Sequence, residues 1–285
     1  ITSQPLVTQT ICQDDLPQDL TVTYINGVGE PTYQWFENDT CATTGGTAIS
    51  VNGNASSYTP LTTLPGTKYY YVELTFPQGG CGVIPSECAE VVIIPDPAAT
   101  IETSLSHTIC DGGQIPDITV SYTGGVGNPT YQWHASTDGG TSFSPTGTDA
   151  PTYNPGTLSG EGNYQYYVEI TFNDNPDNGC GLALSETVII QVIPDPVLTP
   201  LLATQTVCED SPATTLEVTA SGGVAPYSYQ WYDDDGLIVG EEGSTYTPLT
   251  DEVGTFNYYV IVQGEGSGCE TQSTTAQLIV NQGPS

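Results

Sequence analysis

Apolar side chains in this sequence recur every second position over short stretches. Leu20, Val22 and Tyr24 alternate with Thr21 and Thr23, and Tyr70, Val72, Leu74 and Phe76 alternate with Tyr71, Glu73 and Thr75. A period of two places one set of side chains on one face of an extended chain, so these stretches predict half-buried β-strands. Residues 91–94 form a short apolar run of the kind that closes a sheet from within. No window sustains the 3.6-residue period of a helix, and Gly, Pro, Asn and Asp punctuate the gaps. The expected chain is all-β.

The same pattern then repeats. Cys12, Cys110 and Cys208 lie 98 residues apart, as do Trp35, Trp133 and Trp231. Before each Trp the sequence reads PTYQW, PTYQW and YSYQW, preceded by the turn segments NGVGEP, GGVGNP and GGVAPY. After it come SYTP, TYNP and TYTP, then YYYVEL, QYYVEI and NYYVIV, and finally a Gly-Cys step at Cys81, Cys180 and Cys269. A fixed period in which every landmark keeps its order is the signature of a tandem array. The junctions read Ile94-Pro95-Asp96-Pro97 and Ile193-Pro194-Asp195-Pro196, where two prolines in four residues make a short, stiff joint. Three domains are expected, at 1–97, 98–196 and 197–285. About seven short strands per repeat, with turn signals between them, predict three tandem immunoglobulin-like antiparallel β-sandwiches in an extended array. The chain starts at Ile1, inside what reads as a first strand, and is expected to be a piece of something longer.

Each Trp stands where such a sandwich buries the Trp of its third strand, so Trp35, Trp133 and Trp231 are the expected core anchors. The positions that would carry the usual inter-sheet disulfide are Val22 and Val72 in the first repeat, so the cysteines must pair elsewhere. The second and third repeats hold two each, which makes Cys110–Cys180 and Cys208–Cys269 the default pairs. By analogy Cys12 pairs with Cys81, leaving Cys41 for Cys88; four cysteines in the first repeat allow three connectivities, and this one follows from the repeat. A simple strand layout puts Cys12 and Cys81 near opposite ends of the sandwich, so the first strand is expected to be bent or short.

Charge narrows the partners. Lys68 is the only Lys or Arg, against 33 acidic residues, for a formal net charge of −32. Nothing here can neutralise phosphate, which excludes nucleic acid and anionic membrane surfaces, and no apolar stretch is long enough for membrane insertion. The acid is shared almost evenly, 10, 11 and 12 residues per repeat, so it belongs to each unit rather than to a tail. Eight Cys and no Met suit an oxidising exterior.

The ordered landmarks (TIC, strand, GG turn, YQW, YTP, YYV, GC, strand, PDP) resemble the Ig-like repeats of large bacterial surface proteins. These are the adhesins and gliding-motility proteins of Bacteroidetes exported by the type IX route. The resemblance covers all three repeats. It implies a cell-surface or extracellular location and a structural role: a spacer, stalk or fibre segment that presents a binding tip. Its partners would be neighbouring domains of the same chain. The alternative is a module that itself binds a glycan or another surface protein in adhesion.

Chemistry is sparse. His107 and His134 both lie in the middle repeat, so no nucleophile–base pair recurs, and His134 is expected at a surface strand position. The cysteines read as disulfides rather than zinc ligands. A Lys–Asn isopeptide crosslink fails for at least two repeats, because Lys68 is matched by Tyr164 and Phe256. No enzyme is expected and no cofactor is required. Calcium is the open question: Asp174 and Asp177 in a loop beside Cys180, Asp233, Asp234 and Asp235 in the third repeat, and Asp96 and Asp195 in the joints supply oxygen ligands, though none matches a known calcium loop. Tyr71, Tyr167 and Tyr259 are expected to face outward beside Gln34, Gln132 and Gln230, as an exposed aromatic row. Asn38-Asp39-Thr40 and Asn54-Ala55-Ser56 match the N-glycosylation pattern.

Overall fold

A computed structural model describes residues 1–77, 82–172 and 180–283. The first repeat contains eight strands: β1 (Thr8–Cys12), β2 (Leu20–Thr21), β3 (Thr32–Asn38), β4 (Thr47–Ala48), β5 (Ser57–Tyr58), β6 (Gly66–Thr75), β7 (Val83–Pro85) and β8 (Ala89–Ile94). Five run in the order β1-β8-β6-β3-β4, with β7 added to β6, and β2 pairs with β5 in a small second sheet. The second and third repeats reproduce this order strand for strand in their larger sheets. Every regular element among the described residues is a strand, so the chain is all-β, built of tandem immunoglobulin-like sandwiches.

The alternation of the sequence becomes the core. On β6 Tyr70, Val72 and Leu74 point inward; on β8 Ala89, Val91 and Ile93 do the same; on β3 Trp35 stands opposite Val72. Leu20, Val22 and Tyr58 close the core from the smaller sheet. Trp35, Trp133 and Trp231 are each fully buried. Each indole satisfies its N–H on a loop carbonyl 2.9 Å away, of Ala55, Ala150 and Gly243 in turn, as a Trp inside an apolar core must. Each such large side chain contributes roughly 1.5–3 kcal/mol by leaving water, and Val22 and Val72 do so in place of a disulfide. The alternation at 20–24 yields a shorter strand than its length suggests. The ladder covers only Leu20 and Thr21, because β5 offers two residues; beyond it Val22 N–H donates to Ser56 O and Thr23 bridges to Ser3.

One pairing sets the position of the site. β1 joins β8 in parallel, with Thr8 opposite Glu90 and Cys12 opposite Ile94. The first strand therefore runs toward the end of its own repeat and delivers Cys12 beside the Ile94-Pro95 joint. The strand Ser106–Cys110 pairs with Val188–Ile193 in the same way, and Thr204–Cys208 with Ala276–Asn281.

By Cα proximity the chain forms two compact units. The first gathers Ile1–Thr100, Ser121–Tyr131 and Glu169–Ser185; the second gathers Ile101–Val120, Gln132–Val168 and Glu186–Ser285. The middle repeat contributes to both, and each unit holds one of the joints described next.

Candidate functional site

At the end of the first strand the backbone folds over Cys12. Gln13 N–H donates to Ile94 O (2.9 Å), Asp15 N–H returns to Cys12 O (3.2 Å), and Asp14 takes a left-handed φ of 62° while its N–H donates to Thr62 O (3.1 Å). The second repeat builds the same turn with Asp111, Gly112 and Gly113 on Ile193, Leu158 and Cys110. In the third repeat Glu209, Asp210 and Ser211 do so on Asn281, Thr250 and Cys208, with Asp210 at φ 61°. Asp, Gly and Asp at the left-handed position are residue types that tolerate it.

Two of the three disulfides among the described residues run between repeats. Cys12 bonds to Cys180, with Cα atoms 5.0 Å apart, and Cys110 bonds to Cys269 at 4.8 Å. Both of these first-strand cysteines are tied to the Gly-Cys loop of the repeat that follows. This overturns the expected pairs Cys12–Cys81, Cys110–Cys180 and Cys208–Cys269. The physical reason is the parallel β1–β8 pairing. It carries the first-strand cysteine to the far end of its repeat, within reach of the next repeat's loop and away from its own. The suspected bend in the first strand is not needed. Cys41–Cys88 forms as expected, Cα to Cα 5.6 Å, inside the first repeat. Cys208 is an exposed free thiol, and Cys81 lies outside the described residues.

Both joints are packed as well as bonded. Cys12, Cys180 and Ile94 are buried together, with Val92 and Val126 against them. In the second unit Cys110 N–H donates to Ser267 O (3.0 Å) and Gln114 N–H to Ser267 Oγ (2.9 Å). Gly113 and Gly268 face each other there; a Cβ on Gly268 would sit 2.7 Å from Gly113 Cα, and one on Gly113 would run into the Ser267 carbonyl. Glycine at both positions is what lets the two backbones meet.

The other predicted residues are dispersed. Asp96 and Asp195 are exposed. Asp233 Oδ1 accepts from Asp235 N–H and Gly236 N–H (2.9 and 3.1 Å), an ordinary turn. Asp234 accepts from Asn257 N–H and Nδ2 (2.9 and 3.1 Å). Asp174 and Asp177 lie outside the described residues. Among the described residues no group of three His, Cys, Asp or Glu is placed to hold a metal ion. Lys68 pairs with Asp39 at 2.6 Å. A carboxylate that sequence reading missed is Asp138. Ser136 and Ser142 hydroxyls and the Ser142 and Thr141 N–H groups hold it well below the usual carboxylate range, in a Ser-x-Asp-Gly-Gly hairpin whose turn residues are the signal that could have found it.

The outward tyrosines lie on the expected face but do not form an exposed row. Tyr71 lies directly opposite Phe36, not Gln34, and their rings stack with centroids 5.0 Å apart and planes 8° off parallel. His134–Tyr167 (4.8 Å, 4°) and Tyr232–Tyr259 (5.0 Å, 4°) repeat the pair. Tyr71 is buried, its hydroxyl accepting from Gly46 N–H across the β3–β4 hairpin. His134 is thus one half of a stacked pair rather than a bare surface position.

Fold and joints together define a class: a chain of immunoglobulin-like repeats stapled end to end by disulfides. Residues 203–236 match the SprB repeat, and residues 99–194 match a domain of unknown function, DUF8696. A 73-residue stretch is 36% identical to a decoration protein of Escherichia phage T5, spanning 26% of this chain and 44% of that protein. Among solved structures, immunoglobulin domains 1–5 of Sidekick-1 are similar over 99% of this chain and 58% of theirs (16% identity, TM-score 0.42). Fibronectin(III)-like modules of Clostridium thermocellum CbhA are similar over 65% of this chain and 94% of theirs (17% identity, TM-score 0.34).

Proposed function

We propose that this chain is a non-enzymatic spacer segment of an extracellular surface protein, which holds a binding element away from the cell. The observation that carries the reading is the pair of disulfides Cys12–Cys180 and Cys110–Cys269, which run from one repeat into the next. A module whose work lay inside one sandwich would have no use for them; a stalk that must keep its repeats in line would. Disulfides persist in oxidising exteriors and are scarce in reducing cytosol, which favours an extracellular place. The SprB-repeat match at 203–236 and the landmark resemblance to bacterial surface repeats support the same location. Among the described residues no helix is long and apolar enough to cross a membrane. The partners are then neighbouring repeats and other surface proteins, and the charge of −32 keeps chains soluble and apart.

A spacer must be long. Strands rise ~3.3 Å per residue, so each sandwich is ~35–40 Å and three in line make a rod of roughly 110–120 Å. Small-angle scattering from the oxidised chain should give a maximum dimension in that range. A compact particle with repeats folded on one another would sink the reading.

A further inference from the structure

The two inter-repeat disulfides follow one rule with a shift of one repeat: the first-strand cysteine bonds to the loop cysteine of the repeat after it. Applied to the third repeat, the rule leaves Cys208 without a counterpart. We infer that Cys208 is the donor half of a third inter-repeat disulfide, and that its partner is the Gly-Cys loop of a further repeat of this same type placed after the third.

More than exposure sets this thiol apart. The three first-strand cysteines sit on one local structure, and the two whose following repeat is present are both bonded. Cys208 keeps every feature of that seat. Its strand pairs in parallel with Ala276–Asn281, with Cys208 opposite Asn281 as Cys110 is opposite Ile193. Glu209 N–H donates to Asn281 O (2.8 Å), Ser211 N–H to Cys208 O (3.0 Å), and Asp210 N–H to Thr250 O (2.9 Å). What differs is cover: Cys12 and Cys110 are 4% and 0% exposed, whereas Cys208 is open.

The opposite face of the joint shows the same dependence on a neighbour. Val28, Val126 and Val224 hold one position, after Asn-Gly in the first repeat and Gly-Gly in the other two. Val126 and Val224, each with a repeat before it, are half-buried; Val28 is 59% exposed. Counting from the strand end, Pro284 stands three residues past Asn281, as Pro97 and Pro196 stand past Ile94 and Ile193. The joint is not identical. Asn281 replaces those isoleucines, so a third joint would have less apolar packing and depend more on its disulfide.

The bond forms by exchange. The Cys208 thiol and the loop thiol each lose one proton, and together they surrender two electrons to a small-molecule disulfide such as oxidised glutathione, which takes up both protons. That oxidant is released as two thiols as the S–S bond closes.

The test is a four-repeat chain in which residues 98–196 are repeated directly after Pro284, which places a second copy of the Cys180 loop beyond the third repeat. It is refolded in a glutathione redox buffer and mapped without reduction. The expected result is a peptide pair joining Cys208 to the added loop cysteine, alongside Cys12–Cys180 and Cys110–Cys269. In that chain Cys208→Ser should lower the thermal midpoint by several degrees, while in the 285-residue chain the same change should leave it in place. Cys208 left as a free thiol, or bonded to Cys81 or to Cys208 of another molecule, while the other two inter-repeat bonds form, would overturn the inference. The mapping does not depend on molecular dimensions, so its failure and that of the spacer reading are separable.

Discussion

Tyr70, Tyr166 and Tyr258 occupy one position in the three repeats, each ring against a second tyrosine (Tyr58, Tyr153 and Tyr246) at 5.4–5.6 Å. Burial raises all three phenols above their ordinary value near 10. The neighbouring tyrosine adds to the shift, as do Glu37 at Tyr70 and Asp233 at Tyr258; Tyr166 and Tyr258 are each pushed up to about 12. Between pH 10 and 12 the folded chain therefore holds protons that the unfolded chain has lost. The contribution is complete below pH 10 and is lost as pH rises toward 12. The urea midpoint should hold steady from pH 8 to 10 and then fall, with tyrosinate absorbance from the buried class appearing only on unfolding. Tyr166→Phe should flatten that fall. A midpoint that drops as steeply in the variant would show that these phenols are not the groups responsible.

At the scale of strands and hairpins, the stacked pairs across the third and sixth strands of each repeat make a graded prediction. Tyr71 is buried under the β3–β4 hairpin, so Tyr71→Ala should cost roughly 3–5 kcal/mol, the range for emptying a buried aromatic site. Tyr259 is only half-buried, and Tyr259→Ala should cost less. A double-mutant cycle of Tyr232→Ala with Tyr259→Ala should return a coupling of about 0.5–1.5 kcal/mol; zero coupling would mean the rings are merely adjacent. These pairs also mark what the sequence could tell. The two-residue period placed Tyr71 on the non-core face correctly, and it placed Trp35, Val72 and Leu74 in the core. It could not show that Phe36 stands opposite Tyr71, because register depends on where the hairpin turns. Nor did it show that β1 lies parallel to β8, since the side chains of TQTIC do not name their sheet partner. The cysteine pairing was misread for a related reason. Two cysteines per repeat satisfy a bond within one repeat and a bond to the next equally well, and only the strand direction separates the two.

Across the whole molecule the inter-repeat disulfides matter less for loop entropy than for how force travels. Closing loops with sequence separations of 168 and 159 residues contributes about 5 kcal/mol each in the chain-entropy model. Loops of 60–70 residues would have given about 4, because the dependence is logarithmic. The larger consequence is topological. The two crosslinks overlap in sequence, since Cys110 lies inside the loop closed by Cys12 and Cys180. A pull on the two ends can pass from Ile1 to Cys12, cross to Cys180, run back along the chain to Cys110, cross to Cys269 and leave at Ser285. That shortest covalent path holds roughly 100 residue steps, or ~340 Å when taut at ~3.4 Å per residue, against about 1,000 Å for all 285 residues in line. Stretching the oxidised chain by its termini in a single-molecule instrument should therefore end near a third of the length reached after reduction. Serine at Cys12 and Cys110 together should raise the oxidised limit to about 810 Å without any reductant, short of the full length only by the 47-residue span that Cys41–Cys88 still closes. Cys41→Ser with Cys88→Ser should leave the oxidised limit unchanged, because that bond lies off the shortest path. An oxidised chain that extends to the reduced length would show that the two staples do not carry force from one end to the other.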